Sequence, residues 1–327
     1  MRVLITGATS LLGRAIAKTL LERGDSVAVL QRRPCGLQVD EYLGDITDGA
    51  LVSRAMAGAD AVIHLAARVS VVGPWAEFQR TNVEGTRTVL EAAREAACSR
   101  FIQVSSPSVA HSGTSLVGAA AEPADPKGAR GSYARSKALA EQMVLTAENM
   151  AVVAVRPHLV WGPGDTQLVA RIVERARQGR LAVVGSGMAL IDTTYTDNAR
   201  DAIVAALDRA PDLSGRALVI SNGEPRPVQE LFDRMASAAK LSPARLKVPT
   251  VLARAGGRLV EGIWNLTGRQ DDPPMTAFLA EQLSTAHWFD QRETRRLLDW
   301  TPAVSLDEGF QALTRWYAPE QRSSSEA

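Results

Sequence analysis

The first two dozen residues constrain this chain more than any other stretch. Arg2-Val-Leu-Ile-Thr6 reads as a short apolar strand, and it runs into Gly7-Ala-Thr-Ser-Leu-Leu-Gly13. Ala15 to Glu22 then has the apolar spacing of a helix, with Gly24 as its C-terminal cap. Strand, glycine turn and helix in that order open a parallel α/β sheet and give the context a dinucleotide fingerprint requires. Gly7 allows the tight turn and Gly13 allows the helix to lie close to the strand. The turn and helix start from Thr9 and Ser10 to Leu11 and Leu12 aim free amides at a pyrophosphate.

The following segments repeat the pattern. Ser26 to Leu30 is a second buried strand. Its end carries Gln31-Arg32-Arg33 where a NAD-binding fold usually has a carboxylate for the ribose 2′-hydroxyl. Two guanidiniums there suit a 2′-phosphate, so NADP(H) is expected over NAD(H). The competing reading is a solvated arginine pair. Arginine outnumbers lysine 32 to 5, which we read as composition bias, so that alternative stays open. Asp45 and Ile46, after a third strand near Tyr42, are placed at the adenine. Ala61 to His64 is a buried strand leading to the small-residue turn Leu65-Ala66-Ala67, with His64 read as a satisfied core histidine. Asn82 to Thr86 opens a helix running through Ala97. Phe101-Ile-Gln-Val-Ser-Ser106 is a strand whose C-terminal end carries two hydroxyls, at the sheet edge where ligands gather. The fold expected is a doubly wound parallel sheet with a smaller, interleaved C-terminal region.

Residues 107–130, rich in Ser, Gly, Ala and Pro, read as an active-site loop. Gly131-Ser-Tyr-Ala-Arg-Ser-Lys137 follows, and it sets a phenol and an ammonium one helical turn apart on one face. An adjacent positive charge favours phenolate, so Lys137 is expected to draw Tyr133 down from about 10 toward an acid/base catalyst's range. By itself the pair also fits an ordinary surface helix. Ala151 to Val155 is another buried strand, ending in Arg156-Pro-His-Leu-Val-Trp-Gly-Pro-Gly164.

Taken together, Thr6 to Gly13, His64 to Ala67, Asn82 to Thr86, Ser105-Ser106, Tyr133-x-x-x-Lys137 and Arg156 to Gly164 resemble the extended short-chain dehydrogenase/reductase family over essentially the whole chain. The branch resembled is the 3β-hydroxysteroid dehydrogenase-like one. Trp161 to Val169, Asp192 to Asn198, Ile220 to Pro225 and Ala280 to Trp288 are similar to the 2-alkyl-3-oxoalkanoate reductases of bacterial olefin and β-lactone biosynthesis. The resemblance implies an oxidoreductase in which Tyr133 is the general acid, Lys137 lowers its pKa and holds the nicotinamide ribose, and Ser106 bonds the substrate carbonyl oxygen. Ser105 takes that role if the register slips by one. Asn82 supports a relay water, and the backbone of Pro157 to Val160 borders the nicotinamide. One departure stands out: Ser10 occupies the place of the family's middle glycine, which suits a backbone that stays out of the left-handed region. Trp75, His158 and Trp161 are substrate-wall candidates, with plain packing equally open for each.

The remaining chain bounds the function. A net charge of +1 gives no reason to expect nucleic acid or an anionic membrane. Cys35 and Cys98 lack metal-ligand spacing, so reduced thiols, no metal and a cytoplasmic setting are expected. The opening Met-Arg-Val-Leu-Ile-Thr-Gly reads as a strand rather than a leader, and no apolar run reaches membrane-spanning length. Residues 1–164 are assigned to the dinucleotide unit, with returns near 190–204 and 215–222, and residues 165–327 mainly to a substrate unit. Val251 to Leu266 reads as core by default, with a lid or a shallow bilayer contact as alternatives. Asp271 to Pro274 is expected to break that helix, and the tail from Arg322 to fray. An apolar second unit suits a lipid-like small molecule, and the family resemblance suggests a homodimer.

Overall fold

The computed structural model describes residues 1–318 other than 71, 112, 268–272 and 274, with the backbone alone at 265 and 266. The expected helix break at Asp271 to Pro274 and the polar tail lie outside the described residues.

Alternating apolar runs fold as the sequence pattern requires. The first half reads β1 (Arg2–Thr6), α1 (Leu11–Glu22), β2 (Ser26–Gln31), β3 (Asp40–Leu43), α2 (Gly49–Met56) and β4 (Ala61–His64). It continues with α3 (Trp75–Phe78), α4 (Gly85–Glu95), β5 (Arg100–Val104), β6 (Leu116–Ala119), α5 (Gly131–Leu145) and β7 (Ala151–Pro157). After these come β8 (Val160–Trp161), α6 (Leu168–Arg177), β9 (Ala182–Val184), β10 (Leu190–Ile191), β11 (Thr194–Tyr195), α7 (Thr196–Asp208), α8 (Ala210–Leu213) and β12 (Arg216–Ile220). The last stretch holds β13 (Arg226–Pro227), α9 (Val228–Ala238), β14 (Leu246–Val248), α10 (Thr250–Thr267), α11 (Ala277–Gln282), β15 (His287–Phe289), α12 (Arg292–Leu298) and α13 (Leu306–Trp316).

The large sheet has seven strands in the order β12-β7-β5-β4-β1-β2-β3, every pairing parallel. Because helices cover both faces, its central strands are buried end to end and read as unbroken apolar runs. One face packs Ile16, Ala17 and Leu20 of α1 with Ala202, Ile203 and Ala206 of α7. The other packs Val52 and Met56 of α2, Val89 and Ala93 of α4 and Val144 of α5. Residues 196–220 therefore return to the large sheet, as α7 and the edge strand β12.

A second sheet, β13-β10-β15-β6, is assembled from strands of two to four residues. Its member β6 lies inside the stretch 107–130 read as a loop. Four residues of middling hydrophobicity give no period-2 signal by themselves, and their pairing with β15 supplies the missing hydrogen bonds. A third core gathers Val169 and Ile172 of α6, Leu231 and Met235 of α9, and Phe310 and Leu313 of α13.

Another expectation is corrected. The helix preceding Ala97 begins at Trp75, not at Asn82. It runs through a single π turn over Gln79–Glu84, so Asn82 lies inside the helix and Trp75 opens it.

Candidate active site

At the N-terminal turn, Gly7 has φ +82°, and a Cβ there would lie 3.0 Å from the Ala66 amide nitrogen. A Cβ on Gly13 would lie 2.5 Å from the Gly7 carbonyl oxygen. Neither position accepts a side chain without moving backbone. Ser10 stands at φ −73°, ψ 155° as the N-cap of α1, where its hydroxyl accepts from the Gly13 amide and donates to the Gly7 carbonyl. Its conformation is extended, so the substitution carries no backbone strain, and the hydroxyl is spent on the cap. Leu11 and Leu12 occupy the first two helical positions, where amides have no intrahelical acceptor. This cradle, with no Cβ to block it and a helix N-terminus behind it, fits a pyrophosphate.

At the far end of the cradle, Arg32 and Arg33 follow β2 and are exposed. A third guanidinium joins them: Arg14 of α1 donates to the Cys35 carbonyl at 2.8 Å. It went unseen because nothing in the local sequence ties residue 14 to residue 35. The loop is fixed from β3 by Glu41, which accepts from the Gln31 side chain and the Cys35 amide. Those bonds hold the Glu41 carboxyl below its usual range. Burial pushes Asp45 up. Hydrogen bonds from Thr47 and the charges of Arg80 and Arg32 outweigh that and leave it below the ordinary carboxylate value. Ile46 is buried and would clash with any side chain at Gly85.

Beneath the turn lies a closed polar chain. The Ala66 amide donates to the Thr6 hydroxyl, which meets His64 Nδ1 at 2.7 Å. His64 Nε2 meets the Thr86 hydroxyl at 3.0 Å, and Thr86 donates onward to the Asn82 carbonyl. Thr86 has given its proton to that carbonyl, so His64 donates from Nε2 and accepts at Nδ1, the neutral tautomer. Burial, with a smaller contribution from the Lys137 charge, pushes its pKa down to about 3. His64 is thus a satisfied core histidine that positions Leu65 to Ala67.

Asn82 acts differently from the relay role the resemblance implies. Its Oδ1 accepts from the Arg68 amide, and Nδ2 donates to the Arg68 carbonyl and to Ser136 Oγ. Both amide hydrogens are committed, so Asn82 clamps the backbone beyond β4 to α5.

Ser106 caps the 3-10 turn Pro107–Ala110 that follows β5. Its hydroxyl reaches the Ser108 hydroxyl at 2.9 Å, and Ser106 acts on the nearby Tyr133 phenol to lower its pKa. Ser105, the neighbour kept open by register, instead has a buried hydroxyl with no partner among the described residues. Ser108 was missed because a third serine in a serine-rich loop carries no pattern of its own.

The expected pKa relation does not hold in this geometry. Burial pushes Tyr133 up to about 12, only partly offset by the Ser106 hydrogen bond. Burial also pushes Lys137 down to about 8, with Glu141 opposing. The Lys137 ammonium donates to the Val104 carbonyl at 2.7 Å instead of facing the phenol. Desolvation of both groups outweighs the attraction that a four-residue spacing suggests. Behind them, Glu141 of α5 pairs with Arg156 of β7, both side chains essentially inaccessible. Arg156 Nη1 also donates to the Glu122 carbonyl at 2.7 Å, so this pair pins α5 and the 107–130 segment to the sheet.

Of the wall candidates, Trp161 is corrected. It is fully buried, stacked on Phe310 at 4.6 Å between centroids, and its indole donates to Thr193. Trp75 packs over the Arg135 guanidinium and lines a cavity of about 950 Å³ with Ser132, Arg135, Leu139 and Gln142. That is the helix face opposite Tyr133 and Lys137, so Trp75 does not face that pair. His158, just past β7, is buried with its Nε2 3.2 Å from His287 Nδ1, and its ring meets Phe289 edge-on. His287 Nε2 lies 2.7 Å from the Gln282 carbonyl and donates to it. Burial pushes His158 well below its ordinary value and His287 to about 4. Pro157 ends β7, and Val160 is half-buried in β8.

Residues 3–221 match the NAD dependent epimerase/dehydratase family. The chain belongs to that family. It is an oxidoreductase of the extended short-chain dehydrogenase/reductase type. It is 40% identical to a 2-alkyl-3-oxoalkanoate reductase of Stenotrophomonas maltophilia (strain K279a), over 96% of this chain and 98% of the relative. It is 28% identical to the decarboxylating sterol-4-alpha-carboxylate 3-dehydrogenase of Homo sapiens, over 95% of this chain and 86% of the relative. Among solved structures, a dTDP-glucose 4,6-dehydratase double mutant from Streptomyces venezuelae with NAD bound superposes with a TM-score of 0.76. That match covers 99% of this chain and 98% of the other at 24% identity.

Proposed function

We propose that the chain reduces the 3-keto group of a 2-alkyl-3-oxoalkanoic acid to the 3-hydroxy acid, with NADPH as the hydride donor. The observation that carries the chemistry is the placement of Ser106 just past the carboxyl end of β5, with Tyr133 in the first turn of α5 near enough for Ser106 to temper its raised pKa. A reduced nicotinamide, when bound, supplies the hydride. Tyr133, whose raised pKa keeps it protonated, donates its proton to the carbonyl oxygen. Ser106 donates a hydrogen bond to the same oxygen and shares the charge that develops on it. Lys137 holds the ribose, and the Leu11 and Leu12 amides hold the pyrophosphate. Arg14, Arg32 and Arg33 form the cationic end that favours a 2′-phosphate. The substrate class follows the 40% identical reductase. It also agrees with the sterol enzyme's name, in which a carboxylate sits beside the carbon that is oxidised. A soluble cytoplasmic homodimer completes the reading.

Assays in the oxidative direction test it, since the 3-oxo acid decarboxylates on standing. A 2-alkyl-3-hydroxyalkanoic acid and a 3β-hydroxysteroid are each offered with NADP⁺ and with NAD⁺, and reduced cofactor is followed by absorbance. Turnover of the hydroxy acid with NADP⁺ is expected; turnover of the steroid alone would move the substrate to the sterol class. Replacing Arg32 and Arg33 by Ala should weaken NADPH at least about tenfold, at roughly 1.5 kcal/mol or more per lost charged hydrogen bond, and leave NADH nearly unchanged. Equal weakening of both cofactors would remove the 2′-phosphate assignment.

A further inference from the structure

The helix α10 is apolar on both sides. Its inward side holds buried Ala253 and Gly257 and half-buried Val260 and Trp264, with Arg254 and Glu261 along its edge. Glu261 accepts from the Ala277 amide at 2.9 Å, and Arg254 reaches Glu281 at 3.4 Å. The side turned to solvent carries Val251, Leu252, Ala255, Leu259 and Ile263, with exposures of 77% at Val251, 63% at Leu252 and 67% at Leu259. Gly256 and Gly262 complete this face, and a Cβ at either would meet nothing within 4 Å. On a helix of 18 residues, these positions fall within one stripe rather than scattering around the axis. Single exposed apolar residues are ordinary, but a stripe several turns long marks a surface that is covered in use.

We propose that this face docks on a lipid surface bearing anionic headgroups. Two observations select that occupant. The margin of the face carries an exposed cation, Arg258, and the strand that leads into the helix carries exposed Arg245 and Lys247 with Leu246, which is itself 51% exposed. No acidic side chain of the described residues lies on it, because Glu261 points inward. An apolar stripe with a basic margin is the composition of a helix that lies in a headgroup layer. A lipid-like substrate, as proposed above, would partition into such a layer. That last link rests on the proposed function; the face itself does not.

The test uses the full chain and vesicles of phosphatidylglycerol mixed with phosphatidylcholine, or of phosphatidylcholine alone. Co-sedimentation with the mixed vesicles is expected, weakening with added salt. The double variant Leu252→Asp, Leu259→Asp should lower partitioning by more than about tenfold with an unchanged thermal transition, both side chains being exposed. Arg245→Gln with Lys247→Gln should lower binding to the mixed vesicles alone. Failure of the native chain to sediment with either vesicle overturns the proposal, as does equal sedimentation of the aspartate variant. Self-association that the aspartate variant abolishes, without vesicle capture, would also overturn it and assign the face to a second copy. Turnover of a short, soluble hydroxy acid without vesicles is read separately. A chain that catalyses but ignores vesicles loses only this inference, and one that binds vesicles without turnover loses only the reductase reading.

Discussion

The seven-stranded sheet and the four-stranded sheet differ in how their strands earn their place. Strands of the large sheet are mostly four to seven residues long, and the central ones are closed to solvent along nearly their whole length. The small sheet joins residues 116–119, 190–191, 226–227 and 287–289, short pieces that are partly exposed. The large sheet rests on burial and carries the proposed catalytic set at its carboxyl edge. The small one exists through tertiary pairing, and through it His287 reaches His158 of the other region. The proposed proton donor thus lies beside a floor held by burial, under a roof held by long-range strand pairing.

Perturbations of the floor should produce the largest effects. Tyr133→Phe removes the proton donor and is expected to cut turnover by about 10²–10⁴, with cofactor affinity nearly unchanged. Steady-state kinetics and a binding titration check this, and unchanged turnover would take Tyr133 out of the mechanism. Glu141→Ala leaves the Arg156 guanidinium buried without its partner and should cost about 3–5 kcal/mol in denaturant unfolding. A loss below about 1 kcal/mol would mean that water or the Glu122 carbonyl compensates.

A pH experiment sharpens the contrast inside the floor itself. His64 titrates near 6.5 when unfolded and near 3 when folded, so between those values the unfolded state binds the extra proton. The stability it contributes is complete above pH 6.5 and is lost as pH falls toward 3, by up to about 1.4 kcal/mol per pH unit. A His64→Asn variant cannot titrate there, so its unfolding free energy should fall less steeply over that window. Parallel curves for the two proteins would place the proton elsewhere. The smallest effect is expected at the first turn. Ser10→Ala removes the N-cap and should cost about 1 kcal/mol, whereas Ser10→Gly should cost only a few tenths. A thermal melt ranks the two.

Much of the floor was legible in the sequence because periodicity and turn chemistry are local. A run such as Ala61 to His64 has no use except as a buried strand, and Gly7 and Gly13 answer to clashes with backbone only a few residues away or on the adjoining strand. Tyr133 and Lys137 were likewise findable, since one helical turn fixes their spacing. What spacing alone left undecided was their electrostatics. Whether an ammonium draws a neighbouring phenol toward phenolate, or burial pushes the two pKa values the other way, depends on how much water the surrounding fold excludes. The same holds for Trp161, whose burial against Phe310 depends on a helix about 150 positions downstream, and for Arg14, which joins the cofactor end through a loop 21 positions away. The roof was hardly readable, because strands of two or three residues carry no period. The orientation of α10 was open for the same reason. Its sequence specifies two faces, but only packing against α11 decided which of them meets the solvent.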